Sequence, residues 1–178
     1  MTDRFKEAMT YVFLHEGGYN DIKEDAGGAT QWGISLAFLK TLGKQGDINH
    51  DGIVNWLDIK KLTKDEANEL YWDNFWRPLY DKLPKRTGIK VYDLAVNAGH
   101  NRAHILLQKT LVKLGSKVSV DGVIGQQTLS ECAKYTDAKL VDTYCIVQAD
   151  FYKALVVSKP TYAKFINGWM KRAAWKPK

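Results

Sequence analysis

The sequence predicts a mainly α-helical fold with at most a small β-hairpin. Three observations carry that reading. Apolar residues recur at three- and four-residue spacing along most of the chain. The periodic segments open and close on capping signals. Only the stretch near residues 18–34 joins glycine punctuation to a missing helical period, as a short hairpin would. At 178 residues, 45% of them hydrophobic, the chain suits one domain or one domain built of two lobes.

From Asp3 onward, Phe5, Met9, Val12 and Phe13 share one helix face, and the segment ends at Glu16 because Gly17 and Gly18 stop it. Residues 17–33 read as a loop or small hairpin, with Gly27, Gly28 and Gly33 as punctuation. SLAFLKTL, Ser35 to Leu42, is a short helix ended by Gly43. Thr63 and Glu66 form a capping box that opens the next helix. Its Ala67, Leu70, Tyr71, Trp72, Phe75 and Trp76 give a broad apolar and aromatic surface, and Arg77-Pro78 closes it. KLPKRTG, Lys82 to Gly88, has proline, glycine and charge but no period, and divides a lobe at 1–86 from a helical lobe at 87–178. Helical period resumes in VYDLAVNAGHNRAHILLQKTLVKLG, followed by the turn DGVIG (Asp121 to Gly125) and by TLSECAKY. A long helix from about Asp137 turns Leu140, Tyr144, Val147, Phe151 and Leu155 inward and breaks at Pro160. A last helix carries Tyr162, Phe165, Ile166 and Trp169.

Composition narrows the function. No run of about 18 apolar residues occurs, so no transmembrane helix is expected. MTDRFKEAMTYVF lacks a charged region followed by an unbroken apolar run, so no signal peptide and synthesis in the cytoplasm are expected. The formal net charge of +6 favours acidic partners. No zinc-finger spacing, Walker loop or dinucleotide fingerprint accompanies it, so nucleic acid is not an expected partner. The basic cluster WMKRAAWKPK at the C-terminal end reads either as a solvated helix end or as a contact with an anionic envelope. Cys132 and Cys145 fit no metal or redox spacing and are expected to be buried, reduced thiols.

HEGGYNDIKEDAGGATQWG, His15 to Gly33, crowds carboxylates beside glycine turns. Glycoside hydrolysis commonly needs one carboxylic acid to protonate the leaving oxygen and a second carboxylate to activate water or stabilise positive charge. The acid must hold its proton near neutral pH, which an apolar wall favours. Glu16 closes a helix whose other face is core, with Tyr19 close by in sequence, and so suits the acid. Asp25 suits the second carboxylate, with Asp21 and Glu24 as competitors, and the Thr30 hydroxyl suits holding a water. The same spacing also suits a solvated acidic loop behind a helix end. Tyr19 and Trp32 are candidates for stacking on a sugar. Asn97, His100 and Asn101 suit either N-acetyl and hydroxyl recognition or a helix–helix contact. His15 adjoins Glu16 but faces another side of the helix, which suits a rim or structural role.

DINHDGIVNWLD, Asp47 to Asp58, matches a calcium-binding EF-hand-type loop almost position by position. Asp47, Asn49 and Asp51 stand where side-chain oxygens are needed, and Gly52 stands where the chain turns sharply. Ile53 would offer its carbonyl, and Asn55 would act directly or through water. Asp58 closes the loop in place of the usual glutamate, as in dockerin-like loops. A polar loop of Asx turns needing no ion is the alternative. The expected cofactor is one structural calcium ion, with none for catalysis.

Four ordered motifs carry a family resemblance. HEGGYNDIKEDAGGATQWGIS resembles the N-terminal signature of the family 108 glycoside hydrolases, phage-type lysozymes that are N-acetylmuramidases. The likeness continues in ANELYWDNFWRPL (Ala67 to Leu79) and VYDLAVNAGHNRAHILLQKTL (Val91 to Leu111). VDGVIGQQTL (Val120 to Leu129) resembles an element of the peptidoglycan-binding-like half of these proteins. The resemblance implies a lysozyme-like, two-lobed helical fold with the catalytic lobe at 1–86 and a peptidoglycan-binding-like lobe at 87–178. It implies Glu16 as the catalytic acid. A wider likeness to phage lysozymes, with Glu, Asp and Thr in this order, implies Asp25 and Thr30 as its partners. The expected function is an endolysin muramidase that cleaves the β-1,4 bond between N-acetylmuramic acid and N-acetylglucosamine in bacterial peptidoglycan. It would act as a monomer, released from the host cytoplasm through a pore made by a separate protein. The rivals are a non-catalytic, calcium-dependent peptidoglycan-binding module, a regulatory calcium protein, and a chitinase-type specificity.

Overall fold

The computed structural model describes residues 1–16 and 30–178, with the backbone alone at Glu16. The expected fold class is observed: among the described residues there are ten α-helices and one two-stranded antiparallel sheet. Two compact units form, one on Met9–Phe75 and one on Thr2–Ala8 with Trp76–Lys178. No described helix is long and apolar enough to cross a membrane.

In the first unit, α1 (Asp3–Glu16) supplies buried Met9 and Val12. β1 (Thr30–Gln31) and β2 (Ile34–Ser35) pair Thr30 with Ser35 and Gln31 with Ile34. Their two-residue turn holds Trp32 at φ 53° and Gly33 at φ 78°, the positive values that a primed hairpin turn requires of both central residues. α2 (Leu36–Thr41) starts where the Ser35 hydroxyl accepts the Phe38 N–H at 3.2 Å. A 3-10 turn (Gly43–Gly46) leads to the Asp47–Asp58 loop, then α3 (Trp56–Lys61) and α4 (Lys64–Asn74). The expected capping box opens α4: Thr63 Oγ1 accepts from Glu66 N, and Glu66 Oε2 accepts from Thr63 N at 2.8 Å. Ile34, Leu39, Ile59, Leu62, Ala67 and Tyr71 complete this core.

The second unit is organised by α6 (Lys85–Ala98), in which every residue from Thr87 to Ala95 is buried. A helix buried all round must satisfy each polar side chain it carries. α7 (His100–Lys113) and α9 (Asp137–Ser158) pack on it, and α10 (Ile166–Ala174) packs on α9. α5 (Leu79–Lys82), α8 (Gln126–Cys132) and a 3-10 turn (Pro160–Phe165) complete the unit. Phe5, Trp76, Tyr80 and Tyr92 form an aromatic cluster, with Trp76 and Tyr92 ring centroids 4.8 Å apart. Both cysteines are buried and free, and burial pushes the Cys132 thiol up to about 12.

Three readings of the sequence change. KLPKRTG does carry helix: Lys82 closes α5, and Lys85 to Gly88 open α6. Its cap comes from afar: the Asp137 carboxylate accepts the N–H groups of Arg86 (2.8 Å) and Thr87 (2.9 Å) and the Thr87 hydroxyl (2.7 Å). On α9 the buried face is Leu140, Val141, Tyr144, Cys145, Gln148 and Tyr152, while Val147, Phe151 and Leu155 are only half-buried. The polar Gln148 hides this face from a hydrophobicity pattern. Within the C-terminal cluster Lys171, Lys176 and Lys178 are exposed, but Arg172 is not part of a solvated helix end. That guanidinium is buried and grips both Asp93 carboxylate oxygens at 2.9 Å. Lys90 donates to the carbonyls of Arg172, Ala173 and Trp175 at 2.7–3.1 Å, and exposed Lys176 pairs with Asp142 at 2.7 Å.

Replacing Arg172 by Met leaves Asp93 buried without its cation and is expected to cost about 3–5 kcal/mol in urea unfolding. Lys176→Gln, which removes an exposed pair, is expected to cost about 1 kcal/mol or less in the same experiment.

Candidate functional site

The first candidate surface lies in the Met9–Phe75 unit. Glu16 is the last residue of α1, and Thr30 is the first residue of β1 and half-buried. The Glu16 side chain lies outside the described residues, as do Tyr19, Asp25, Asp21 and Glu24. Trp32 is built into an aromatic group. Its ring meets the Phe13 ring edge at 5.7 Å, and its carbonyl accepts the Tyr71 hydroxyl at 3.3 Å. The Lys64 ammonium sits 5.1 Å from the Phe13 centroid and 5.9 Å from that of Trp32. The Trp32 indole N–H is buried with no hydrogen-bond partner among the described residues. These contacts fix the hairpin turn against α1 and α4.

The Asp47–Asp58 loop is closed by its own backbone. Asp47 Oδ1 and Oδ2 accept the N–H groups of Asp51 (3.1 Å) and Gly52 (2.9 Å). Asn49 Oδ1 accepts from Asp51 N, and Asp51 Oδ1 from Ile53 N, both at 2.9 Å. Asn55 Nδ2 donates to the Ile53 carbonyl at 3.2 Å. Asp58 is fully buried: Oδ1 accepts from Ile48 N and Asn49 N, and Oδ2 from Asn55 N at 2.7 Å, where it caps α3. Asp47, Asn49 and Asp51 are thus drawn into one turn, while Asp58 braces the loop ends. Among the described residues no three His, Cys, Asp or Glu side chains are arranged to hold a metal ion.

The second unit separates Asn97, His100 and Asn101. Asn97 Oδ1 accepts the Tyr152 hydroxyl at 2.9 Å, beside a groove under α9 and α10. The Asn101 side chain fills the space where a Cβ at Gly122 would stand, and Gly122 has φ 79°, so only glycine fits this turn. His100 joins a buried relay that the sequence reading missed. The His104 Nδ1–H donates to the Gly122 carbonyl at 3.0 Å, which leaves His104 Nε2 to accept the Tyr80 hydroxyl at 3.0 Å. The Tyr80 oxygen then accepts from His100 Nδ1 at 2.8 Å. Gln108 completes the docking of DGVIG: its Nε2 donates to Asp121 Oδ1 and its Oε1 accepts from Gly122 N. DGVIG is therefore a turn sewn to α7. The spacing of His100, His104 and Gln108, four residues apart on one helix face, was the available signal.

Burial, with the Arg77 charge second and His104 third, lowers the His100 pKa to about 4. Burial also lowers that of His104, against the opposing bond to Gly122. Both imidazoles are therefore neutral at pH 7.

Comparison with known proteins places the chain in a family. The model described as "Glycosyl hydrolase 108" matches residues 9–99, just over half the chain. The chain belongs to the glycosyl hydrolase 108 family. The family segment spans the second half of α1, the hairpin, the Asp47–Asp58 loop and all of α6. A second model, "Predicted Peptidoglycan domain", matches residues 102–174. The structure is similar to that of SagA from Brucella abortus, with 32% identity and a TM-score of 0.72 over 96% of this chain and 89% of that one. No curated protein matches. The family and the second domain together support an enzyme that hydrolyses peptidoglycan.

The neutral histidines make stability pH-dependent. Below pH 6.5 the unfolded chain takes up a proton at His100 that the folded chain refuses down to about pH 4. The His100 contribution to stability is therefore full above pH 6.5 and is lost as pH drops through that window. Melting temperatures across it are expected to show this fall, and His100→Gln is expected to flatten it.

Proposed function

We propose that the chain is a muramidase that hydrolyses the β-1,4 bond between N-acetylmuramic acid and N-acetylglucosamine, with Glu16 as general acid. The glycosyl hydrolase match over residues 9–99 carries this reading, because it spans the Glu16-to-Thr30 stretch where the chemistry-bearing residues cluster in sequence. Glu16 ends α1, and the partial negative charge at a helix C-terminus disfavours a carboxylate there. That favours the protonated form a general acid needs. In the reaction Glu16 gives its proton to the leaving oxygen of N-acetylglucosamine as the anomeric C–O bond breaks. Asp25 stabilises the positive charge or activates water, and Thr30 orients the water. The water oxygen ends on the muramic acid anomeric carbon.

Purified peptidoglycan and a turbidity assay test the assignment. Glu16→Gln is expected to lower the rate by about 10²–10⁴-fold. Equal cleavage by both proteins removes Glu16 from the acid role. No cleavage by either, with both pelleting on the wall, converts the reading to a non-catalytic binding module.

We also infer one structural calcium ion at the Asp47–Asp58 loop. The donor set is all oxygen, which suits calcium. Asp47, Asn49, Asp51, Asn55, Asp58 and the Ile53 carbonyl would hold it once the loop tightens, because its three aspartates do not converge as they stand. The backbone bonds already drawn to these carboxylates shape the loop, so the ion would brace it and oppose repulsion among its three aspartates. Calcium is expected to raise the melting temperature over EGTA, by the equivalent of about 2.7 kcal/mol at one hundred times Kd. Asp47→Asn with Asp51→Asn is expected to abolish the rise, and identical melting of the unmodified chain in calcium and EGTA overturns the site.

A further inference from the structure

A groove of about 390 Å³ runs along the second unit between the end of α6, α9, the 3-10 turn and α10. That volume falls within the range of small-ligand sites, about 300–1,000 Å³. Its lining is aromatic. Tyr152 and Trp169 stack at 5.1 Å with planes 19° apart, and Tyr162 and Phe165 close on Trp169 at 5.8 and 5.7 Å. Phe165 remains 46% exposed, a large apolar face left to water at the edge of the groove.

Two exposed cations belong to this lining and stand over its rings. Arg102 lies 5.4 Å from the Phe151 centroid and Lys159 lies 5.5 Å from that of Tyr162. Neither is ion-paired among the described residues. A fixed amide adds direction. Gln148 Nε2 donates to the Tyr152 hydroxyl at 3.2 Å, and that hydroxyl donates to Asn97 Oδ1 at 2.9 Å. The bond commits the Asn97 oxygen and leaves its NH₂ to donate to a carbonyl.

We propose that this groove is a binding site for peptide-bearing peptidoglycan glycan: the aromatic face takes a sugar ring, Asn97 an acetamido or peptide carbonyl, and Arg102 with Lys159 a stem-peptide carboxylate. The chemistry matches each part. Sugar rings present apolar C–H faces to aromatic side chains, and carboxylates take charge-assisted bonds from guanidinium and ammonium groups. A neutral glycan such as chitin leaves both cations without a partner. The identity of the polymer rests on the wall-hydrolase reading and on the peptidoglycan domain match, which covers the groove from Arg102 to Trp169.

The test uses the full chain carrying Glu16→Gln, so that glycan is not cut. Calorimetry follows a soluble disaccharide–tetrapeptide muropeptide and, as neutral control, chitotetraose. The parent is compared with Arg102→Gln/Lys159→Gln and with Phe165→Ala, all exposed positions, with circular dichroism confirming the fold. The muropeptide is expected to bind the parent about tenfold more tightly than chitotetraose, and the double variant to erase that preference. Phe165→Ala is expected to weaken both ligands several-fold. Unchanged muropeptide affinity in the double variant, or equal affinity of the parent for both ligands, overturns the groove. Hydrolysis of peptidoglycan by the chain with Glu16 intact is measured in parallel. Cleavage with an insensitive groove sinks this proposal alone, and groove-dependent binding without cleavage sinks the muramidase reading alone.

Discussion

The second unit depends on one constraint: a helix buried on every side that carries a cation and an anion. Between Thr87 and Ala95, α6 holds Lys90 and Asp93 away from water. Neither can stay there without partners, since an unpaired buried charge costs several kcal/mol. Both partners come from the C-terminal segment. Arg172 meets Asp93 with two parallel bonds, and the carbonyls at the end of α10 surround the Lys90 ammonium. The segment is thereby held to α6, and α10 is held in place to wall the aromatic groove. Thr87 at the other end is answered by Asp137 from α9. Partners remote in sequence make α6 possible.

The first unit solves a different problem with less material. Among the described residues its sheet has two residues per strand, too short to be stable alone. What holds it is the turn. Trp32 accepts a primed-turn conformation unusual for a tryptophan, and its carbonyl and ring are tied to Tyr71 and Phe13. The hairpin that begins at Thr30 is thus anchored to α1, the helix that ends at Glu16. Rigid support from two packed helices is what a site needs to keep an acid and its partners in register.

Much of this was legible in the sequence, for local reasons. The α1 end at Glu16, the Thr63–Glu66 box, the hairpin near Gly33 and the family motifs all write their cause within a few residues of the effect. What was missed had remote causes. Pro84 shows no cap of its own, so the start of α6 read as a stretch without helical period; the cap is Asp137. Gln148 was left out of the inward face because it is polar, and its burial is allowed by a partner one turn on, Tyr152. Arg172 looked like tail charge because Asp93 lies far upstream in the chain. His100 was picked out for its polarity, yet its role is set by Tyr80 and His104, which the motif reading passed over.

The central claim concerns which bond is broken, and the new chain ends record it. Purified peptidoglycan is digested, the ends are reduced with borohydride, and the reduced sugar is identified by mass spectrometry. A muramidase converts N-acetylmuramic acid into the new reducing end, so reduced muramic acid should accumulate with digestion. Reduced glucosamine ends, or a 1,6-anhydro ring on muramic acid with no water incorporated, would contradict the account.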